Sequence, residues 1–315
     1  MLLYAMKRCL LAIAIILVAV ALLFCMIYVI PGDPIKIALG PLATPVMVES
    51  FRQQMGLDQP VWWQFLNFVA GLLKGNLGTD ILSNRPVGVT IFEQLPFTLA
   101  LIATGMFWSI AVGVPLGCFA ALERGTVLDR LTGILSVAVI AVPSFVVAVY
   151  SLLVFSVHLG WFPAIGAGER GNIPDQLTHL ILPSLAVGLG WVGYLARMVR
   201  ASMLEVMSEN HIRTARAFGL PMRTIVVTYA LPIAILPTIT LLGVGIGHML
   251  SSAVFAEIVF ARPGVGKLVY DAINARNYPL VSGTVLVTTA FYVLVALITD
   301  LLVAGLDPRV RASLR

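Results

Sequence analysis

The chain has 315 residues, of which 59% are apolar and only 11% are charged, too few charges to cover a water-facing surface. Lipid must therefore be part of its surroundings, and a soluble globular protein is excluded. The net charge of +5 comes from 20 Lys and Arg against 15 Asp and Glu, without the basic and aromatic clusters of nucleic-acid-binding proteins. The composition predicts an all-α integral membrane protein.

Six apolar segments are long enough to cross a bilayer as helices, since a hydrocarbon core of ~30 Å takes about 20 residues. They are residues 9–30, 97–122, 131–157, 180–196, 229–255 and 280–299. The first follows basic residues, as a secretory signal does, but it exceeds the roughly 7–15 apolar residues of a signal peptide. We expect it to remain as an anchor, and residues 1–315 to form a single transmembrane domain.

The basic residues give the predicted orientation of these segments. With the N-terminus placed inside, more than half of the 20 Lys and Arg residues fall on the cytoplasmic side. The others lie in longer outside segments, which contribute little to orientation. An even number of spans then places both termini in the cytoplasm.

The first outside segment, residues 31–96, is too long to be a simple connection. Within it, residues 61–73 read VWWQFLNFVAGLL, and Gln64, Asn67 and Gly71 share one face at helical spacing. This stretch is too short to cross a bilayer. It predicts an amphipathic helix that lies in the membrane interface or packs on protein, with Trp62 and Trp63 at one end.

Prolines and glycines interrupt several predicted spans. Pro143 removes a helix donor and can bend the third span. Gly243, Gly245 and Gly247 crowd the fifth span, which indicates close helix packing and is also compatible with a bent helix that lines a path. His248 lies within the same span, and we favour a hydrogen-bonded packing role for it over contact with a substrate.

The longest inside connection, residues 197–228, carries a helical pattern. Val199, Met203 and Val206 form an apolar stripe, with charged residues outside it and Gly219 as a candidate helix stop. We expect a short helix, a break at Gly219 and a second helix on the cytoplasmic surface. This arrangement suits docking onto a soluble partner.

The same connection carries a specific motif. Residues 213–219 read RTARAFG and, nine residues later, residues 229–232 read YALP. This resembles the EAA loop of ABC importer permeases, whose pattern is Glu-Ala-Ala, three residues, Gly, nine residues and Ile-x-Leu-Pro. The chain keeps the second Ala, the Gly and the Leu-Pro, whereas Arg213, Thr214 and Tyr229 depart from the pattern. The Arg-Thr-Ala-Arg-Ala form resembles the dipeptide and oligopeptide branch.

Further stretches along the chain resemble the same branch. They are PGDP (31–34), MGLDQP (55–60), GNLG (75–78), RPV (85–87), LPFT (95–98), PGVG (263–266) and RNYP (276–279). The resemblance implies the first permease subunit of a peptide-type importer, with a type I ABC importer permease fold. That fold has six transmembrane helices and a cytoplasmic coupling-helix loop. The chain is also similar to glutathione and nickel permeases.

The resemblance implies a mechanism in which the Gly-broken cytoplasmic helices dock in a groove of an ATP-binding subunit, whose ATP-driven closure switches the path. The implied partners are a second permease, two ATP-binding subunits (the same or different chains), an extracytoplasmic substrate-binding protein and the lipid of the bacterial inner membrane, without nucleic acid. ATP and Mg then bind the partners, and this chain is expected to be non-catalytic, without a cofactor or metal. The residues assigned to ATPase coupling are Glu205, Glu209, Arg213, Thr214, Ala215, Arg216, Gly219, Leu231 and Pro232.

Other classes of function fit the sequence less well. The stretch Gly264 to Lys267 has Ala261 and Leu268 where a phosphate-binding loop needs Gly and Ser or Thr, so ATP must bind another chain. A secondary transporter or channel usually carries charged groups near mid-membrane, and these spans hold almost none. A membrane-embedded enzyme needs a catalytic constellation, and none of the common motifs occurs. Peptides or peptide-like solutes are the expected cargo, with glutathione or nickel as alternatives.

Overall fold

A computed structural model of the chain describes residues 2–29, 44–54 and 59–306, which are predominantly helical. The helices of these residues are α1 (Leu2–Val29), α2 (Pro45–Gln54), α3 (Val61–Leu73), α4 (Val87–Leu122), α5 (Val127–Ala141), α6 (Ser144–Ser151), α7 (Ile173–Val206), α8 (Asn210–Ala217), α9 (Met222–Thr224), α10 (Leu231–Ala234), α11 (Leu236–Val259), α12 (Val265–Asn274) and α13 (Tyr278–Leu306). Two wider π-helical stretches, Leu152–His158 and Ile225–Ala230, continue α6 and α9. The predicted helix at residues 61–73 is confirmed as α3.

Five of the described helices are long and apolar enough to cross a membrane, namely α1, α4, α7, α11 and α13. The successive helices α5 and α6 pass the same test together, but they are bent by 95° at the break between them. Counted as one broken span, this pair brings the number of crossings in the described residues to six. The predicted all-α membrane fold is confirmed, and its third crossing is bent.

A proline produces this bend. Val142 has φ −83° and ψ 121°, because the ring of the following proline disfavours the α-helical conformation at the residue before it. Pro143 itself has φ −60° and ψ 142°, and α6 begins immediately after it. The segment 131–157, predicted as one span, is therefore interrupted at residues 142–143.

Other helices also differ in length from the predicted apolar segments. α4 begins at Val87, before the apolar stretch that starts at residue 97, and α7 extends well beyond 180–196 at both ends. α11 begins only at Leu236, and Met222–Ala234 forms a separate, shorter apolar stretch. Hydropathy marks the part of a helix that suits lipid, whereas the helix itself ends where its backbone hydrogen bonding ends.

The chain divides into two compact units. The first consists of Met1–Ala5, Thr98–Arg262 and Val295–Arg315, and the second of Met6–Phe97 and Pro263–Leu294. The first unit contains α5 to α11, and the second contains α2, α3 and α12.

In the first unit, glycines bring α4 and α7 into backbone contact. A Cβ added at Gly188 would lie 2.5 Å from the carbonyl oxygen of Gly105, and one added at Gly117 would lie 2.6 Å from that of Ala196. Between these points, the Ser109 hydroxyl lies 2.8 Å from two carbonyl oxygens, that of Gly105 in α4 and that of Gly188 in α7. It can donate a hydrogen bond to either. Small residues at four-residue spacing permit this close approach, which is common between helices in membranes.

Glycines of α11 are also packed closely in this unit. A Cβ at Gly243 would collide with the side chain of Thr299 on α13, and one at Gly245 would lie 3.1 Å from the Trp191 ring. The same ring lies 5.9 Å from that of His248, centroid to centroid. These contacts agree with close helix packing at the glycine-rich fifth span and place the His248 ring against that of Trp191.

A buried polar contact joins α4 to α11 in the same unit. Glu257 is fully buried, and its Oε1 accepts a hydrogen bond of 2.5 Å from the Thr98 hydroxyl. At the end of α11, the amide of Arg262 donates to the carbonyl of Glu257 at 2.8 Å. Burial lowers the pKa of the Arg262 guanidinium, and the nearby charge of Glu257 opposes that effect. The unit therefore keeps a carboxyl group and a guanidinium out of water at this helix end.

In the second unit, α3 packs on α1, and a polar contact fixes the segment that precedes α4. Asp80 is buried and accepts hydrogen bonds from the Ser83 hydroxyl and the Asn277 side-chain amide. Burial by itself would raise the pKa of Asp80, but these hydrogen bonds and the amide of Leu82 hold it below the ordinary value. The turn between α3 and α4 is thereby tied to the residue that precedes α13.

Candidate functional site

The candidate site is built on α8, a short amphipathic helix that lies three residues beyond the end of α7. Its two buried side chains are Ile212 and Ala215, which share one face because they are three residues apart. They belong to an apolar cluster with Val199, Met203 and Val206 of α7. This cluster fixes α8 against the end of a helix that crosses the membrane.

The predicted apolar stripe therefore exists, but it lies on a different element. We expected residues from 199 onwards to form a separate cytoplasmic helix, whereas the structure continues α7 without a break to Val206. Nothing in residues 197–206 interrupts the helix, since the stretch contains neither Pro nor Gly. The helix after the glycine break is also shorter than expected, because α9 has only three residues before the π-helical stretch.

Gly219 ends α8 as the sequence predicts. Its φ is +74°, its amide donates to the carbonyl of Arg216 at 2.9 Å, and the amide of Leu220 donates to that of Ala215 at 3.3 Å. This pair of bonds is the Schellman motif, in which the residue just past the helix adopts a left-handed conformation. Leu220 also packs against the apolar cluster beneath α8.

Much of the remaining surface of α8 is exposed. Arg213, Thr214 and Arg216 all lie on it, and the Thr214 hydroxyl donates back to the Asn210 carbonyl at 3.0 Å. Phe218 follows them with 81% of its surface exposed. An exposed aromatic ring between two cationic side chains and a left-handed glycine is suited to contact with another protein. We call this surface, Arg213, Thr214, Arg216 and Phe218, the docking face.

The residues assigned to ATPase coupling from the sequence do not include Phe218. The sequence does indicate that this side chain is unusual, because it is an aromatic residue outside the apolar stripe, immediately before the glycine that ends the helix. Such a side chain has no place in the cluster beneath α8, so it must project elsewhere.

The other residues assigned to ATPase coupling from the sequence lie near the docking face, but they do not all contact one another. Glu205 is exposed in the last turn of α7, and Glu209 precedes α8, with its Oε2 3.1 Å from Nδ1 of His211. Leu231 packs against the apolar cluster beneath α8, whereas Pro232 beside it is exposed. Ala215 and Leu231 are thus part of the support, and the two glutamates flank the connection from α7 to α8.

A second feature anchors α7 close to this site. Asp129, in the first turn of α5, is buried and accepts two hydrogen bonds from Arg200 of α7, at 2.5 Å to Nε and 2.8 Å to Nη2. The Asp129 carboxylate also accepts from the amide of Gly125 at 3.0 Å, in the turn between α4 and α5. This bidentate pair fixes α7 to α5 one and a half turns before α7 ends.

We expect Arg200→Ala and Asp129→Ala each to lower the thermal stability of the protein in membrane extracts, because each leaves a charged partner without its counter-ion. Arg200→Lys keeps the charge but loses the two-point geometry, so its stability should fall between those of wild type and Arg200→Ala. The measurement is the temperature at which half of the protein aggregates.

The matched control is Lys267→Ala, which removes an exposed ion pair with Asp271 four residues along α12. Exposed pairs of this kind contribute little, so no change in stability is expected. If Lys267→Ala and Arg200→Ala lose equal amounts of thermal stability, the Asp129–Arg200 pair does not stabilise the protein more than an exposed ion pair does.

Across residues 2–29, 44–54 and 59–306, no group of three or more His, Cys, Asp or Glu side chains is placed to hold a metal ion. The site instead consists of a helix with a packed inner face and an exposed outer face, attached to a membrane-crossing helix. The fold and this site define a class of polytopic membrane proteins in which a short, partly exposed helix is attached to the end of a membrane-crossing helix.

Comparison with known proteins identifies the family. Residues 113–312 match the family described as "Binding-protein-dependent transport system inner membrane component", and residues 1–102 match its N-terminal family. The chain belongs to this family of inner-membrane transport components. It is therefore a membrane-embedded permease subunit of an ABC importer, with a role in transport and not in catalysis, as the sequence resemblance implied.

Several curated relatives are similar over nearly their full length. The chain is 36% identical over 311 residues to the glutathione transport system permease protein GsiC of Escherichia coli (strain K12), covering 99% of both chains. The same identity and coverage hold for GsiC of Shigella flexneri serotype 5b and of Salmonella typhimurium LT2.

Two solved structures share the fold. Both are inward-facing crystal forms of the MetNI methionine ABC transporter, with TM-scores of 0.57 and 0.54 at 18% and 20% identity. The first match covers 69% of this chain and 95% of that one, and the second covers 69% and 96%. The likeness confirms the predicted type I permease fold.

Proposed function

We propose that the chain is one of two permease subunits that together form the path for peptides or peptide-like solutes, with glutathione as the leading candidate. The observation that supports this cargo is the 36% identity, over 99% of both chains, to relatives named glutathione permeases. Selectivity is expected to depend also on the second permease and on the binding protein.

Uptake into proteoliposomes tests the cargo directly. The complete transporter, reconstituted with its binding protein and ATP, should accumulate labelled glutathione, and unlabelled dipeptides should compete if the path accepts peptides in general. Nickel ions serve as the control solute. Uptake of nickel without uptake of glutathione or a dipeptide would overturn the proposed cargo.

We further propose that the docking face contacts an ATP-binding subunit. Its support is geometric, because Ala215 and Leu231 hold α8 in place from below while Arg213, Arg216 and Phe218 project outward. A complementary groove would offer apolar surface to the ring and acidic groups to the two guanidinium groups. The assigned Glu205, Glu209 and Pro232 lie at the edges of this contact, Thr214 lies within it, and Gly219 sets the direction in which the chain leaves it.

The proposed assembly holds this chain, a second permease and two ATP-binding subunits, with a substrate-binding protein docking outside. ATP and Mg then bind the ATPase subunits. Affinity purification of this chain should recover an ATPase and a second permease from mild detergent. ATP hydrolysis by the purified chain alone would contradict the assignment of ATP to separate chains.

The proposed orientation in the inner membrane places both termini and the docking face in the cytoplasm. In cells carrying single cysteines, an impermeant thiol reagent applied from outside should label positions near Arg170 and Lys267. Positions near Arg216 and Arg311 should react only after the membrane is permeabilised. Labelling at Arg216 in intact cells would reverse the orientation.

A further inference from the structure

The packing of α3 places it at one end of two membrane-crossing helices. In the second unit, Phe65, Phe68 and Leu72 of α3 pack against a cluster that includes Val20 and Leu23 of α1. The Phe65 ring lies 5.2 Å from that of Phe24, edge to face.

These contacts locate α3 in depth. The apolar span of α1 is Tyr4–Cys25, so Val20 lies within about 8 Å of its end at 1.5 Å per residue. Leu286, about 12 Å along the span Tyr278–Gly305 from its first residue, belongs to the same cluster. Both spans thus place the contact in the outer part of the hydrocarbon core, which the apolar side chains of a helix lying at the lipid headgroups can reach.

A second apolar face of α3 remains exposed. Trp62, Leu66 and Leu73 recur at helical spacing, and their exposed fractions are 63%, 51% and 85%. They lie on the side of the helix away from Gln64 and Asn67, which are separated from them by about half a turn. The face that packs on α1 lies between these two sides.

We infer that α3 lies in the headgroup region of the bilayer, with Trp62, Leu66 and Leu73 inserted among the lipid acyl chains. Tryptophan favours this zone because its ring is apolar and its indole N–H is a donor. The helix carries no charged residue, and the exposed Lys74 immediately follows it, where a cation can meet a lipid phosphate. Lipid is therefore the occupant that the level, composition and flanking charge of α3 favour.

Spin labels on adjacent residues test this placement in the complete transporter, reconstituted in phosphatidylethanolamine and phosphatidylglycerol. Cys9, Cys25 and Cys118 are first replaced by Ser, and a single label is then attached at Leu66→Cys or Asn67→Cys. The label at 66 should collide more with oxygen, which partitions into lipid, and the label at 67 more with a water-soluble nickel chelate. Leu17→Cys, on the exposed side of α1 within its span, provides the lipid reference.

Two other outcomes would overturn the inference. Low collision rates with both reagents at position 66 would show that another protein chain covers this face. A higher rate with the nickel chelate than with oxygen would show that it faces water. Neither outcome bears on the cargo or on ATPase docking, which are measured by uptake and co-purification.

Discussion

Gly219→Asp is expected to abolish uptake while the protein still inserts and accumulates near wild-type levels. At φ +74° a side chain costs about 1–2 kcal/mol, and the Schellman motif that ends α8 needs this conformation. A Cβ at this position meets no atom of the described residues within 4 Å, so their packing leaves room for the substitution. The new carboxylate would also stand beside the cationic docking face, where we propose that an acidic groove binds.

The measurement combines uptake with recovery of the ATPase from the same membranes. Gly75→Asp is the matched control, since Gly75 also has φ +74°, equally open surroundings, and the same pair of backbone hydrogen bonds at the end of α3. Its backbone strain is comparable, but it lies outside the docking face. Equal losses of uptake in both variants would assign the effect to strain alone, and normal uptake with normal ATPase recovery in Gly219→Asp would remove the coupling role of Gly219.

Gly188→Leu is expected to prevent stable folding of the first unit. Its Cβ alone would lie 2.5 Å from the Gly105 carbonyl oxygen and 3.2 Å from the Gly105 Cα, so both backbones would have to separate. Separation also breaks the hydrogen bond from Ser109 to the Gly188 carbonyl. Overpacking by even a few atoms typically costs 1–3 kcal/mol, and a backbone contact leaves less room for relaxation than a side-chain contact. We expect little protein in the membrane fraction and rapid proteolysis of the remainder.

Gly133→Leu provides the comparison for this substitution. Gly133 also lies in a helix of the first unit, α5, but a Cβ there meets no atom within 4 Å in the part of the chain that the structure describes. Its protein level should equal that of wild type. If Gly188→Leu accumulates and resists protease as well as Gly133→Leu does, the close α4–α7 contact is not required for folding.

Hydropathy and spacing were sufficient to predict the features that depend on local sequence. The bounds of α3 and the left-handed stop at Gly219 follow from side-chain periodicity and from the conformational freedom of glycine. Pro143 indicated a break, but its 95° angle depends on the helices packed around it. The predicted end of the fourth span at residue 196 marked a change in polarity, and α7 continues past it because nothing stops the helix.

Contacts between distant residues could not be predicted in the same way. Asp129 and Arg200 each appeared as an ordinary charged residue on the cytoplasmic side, and only the fold brings them together across 71 positions. Thr98 and Glu257 are 159 positions apart, and no periodicity links them. Phe218 was overlooked because an aromatic residue is usually assigned to a core, whereas here the turn at Gly219 leaves it outside.

Because α7 runs without a break to Val206, its length determines how far α8 lies from the bilayer. Its 34 residues extend for about 51 Å, well beyond a hydrocarbon core of ~30 Å. This surplus is shared between the two ends of α7, and the ten residues that follow the predicted apolar segment at residue 196 extend for about 15 Å, more than the headgroup layer at one face of the bilayer. α7 thus holds α8 beyond the lipid headgroups, so a water-soluble protein can reach α8 without displacing lipid.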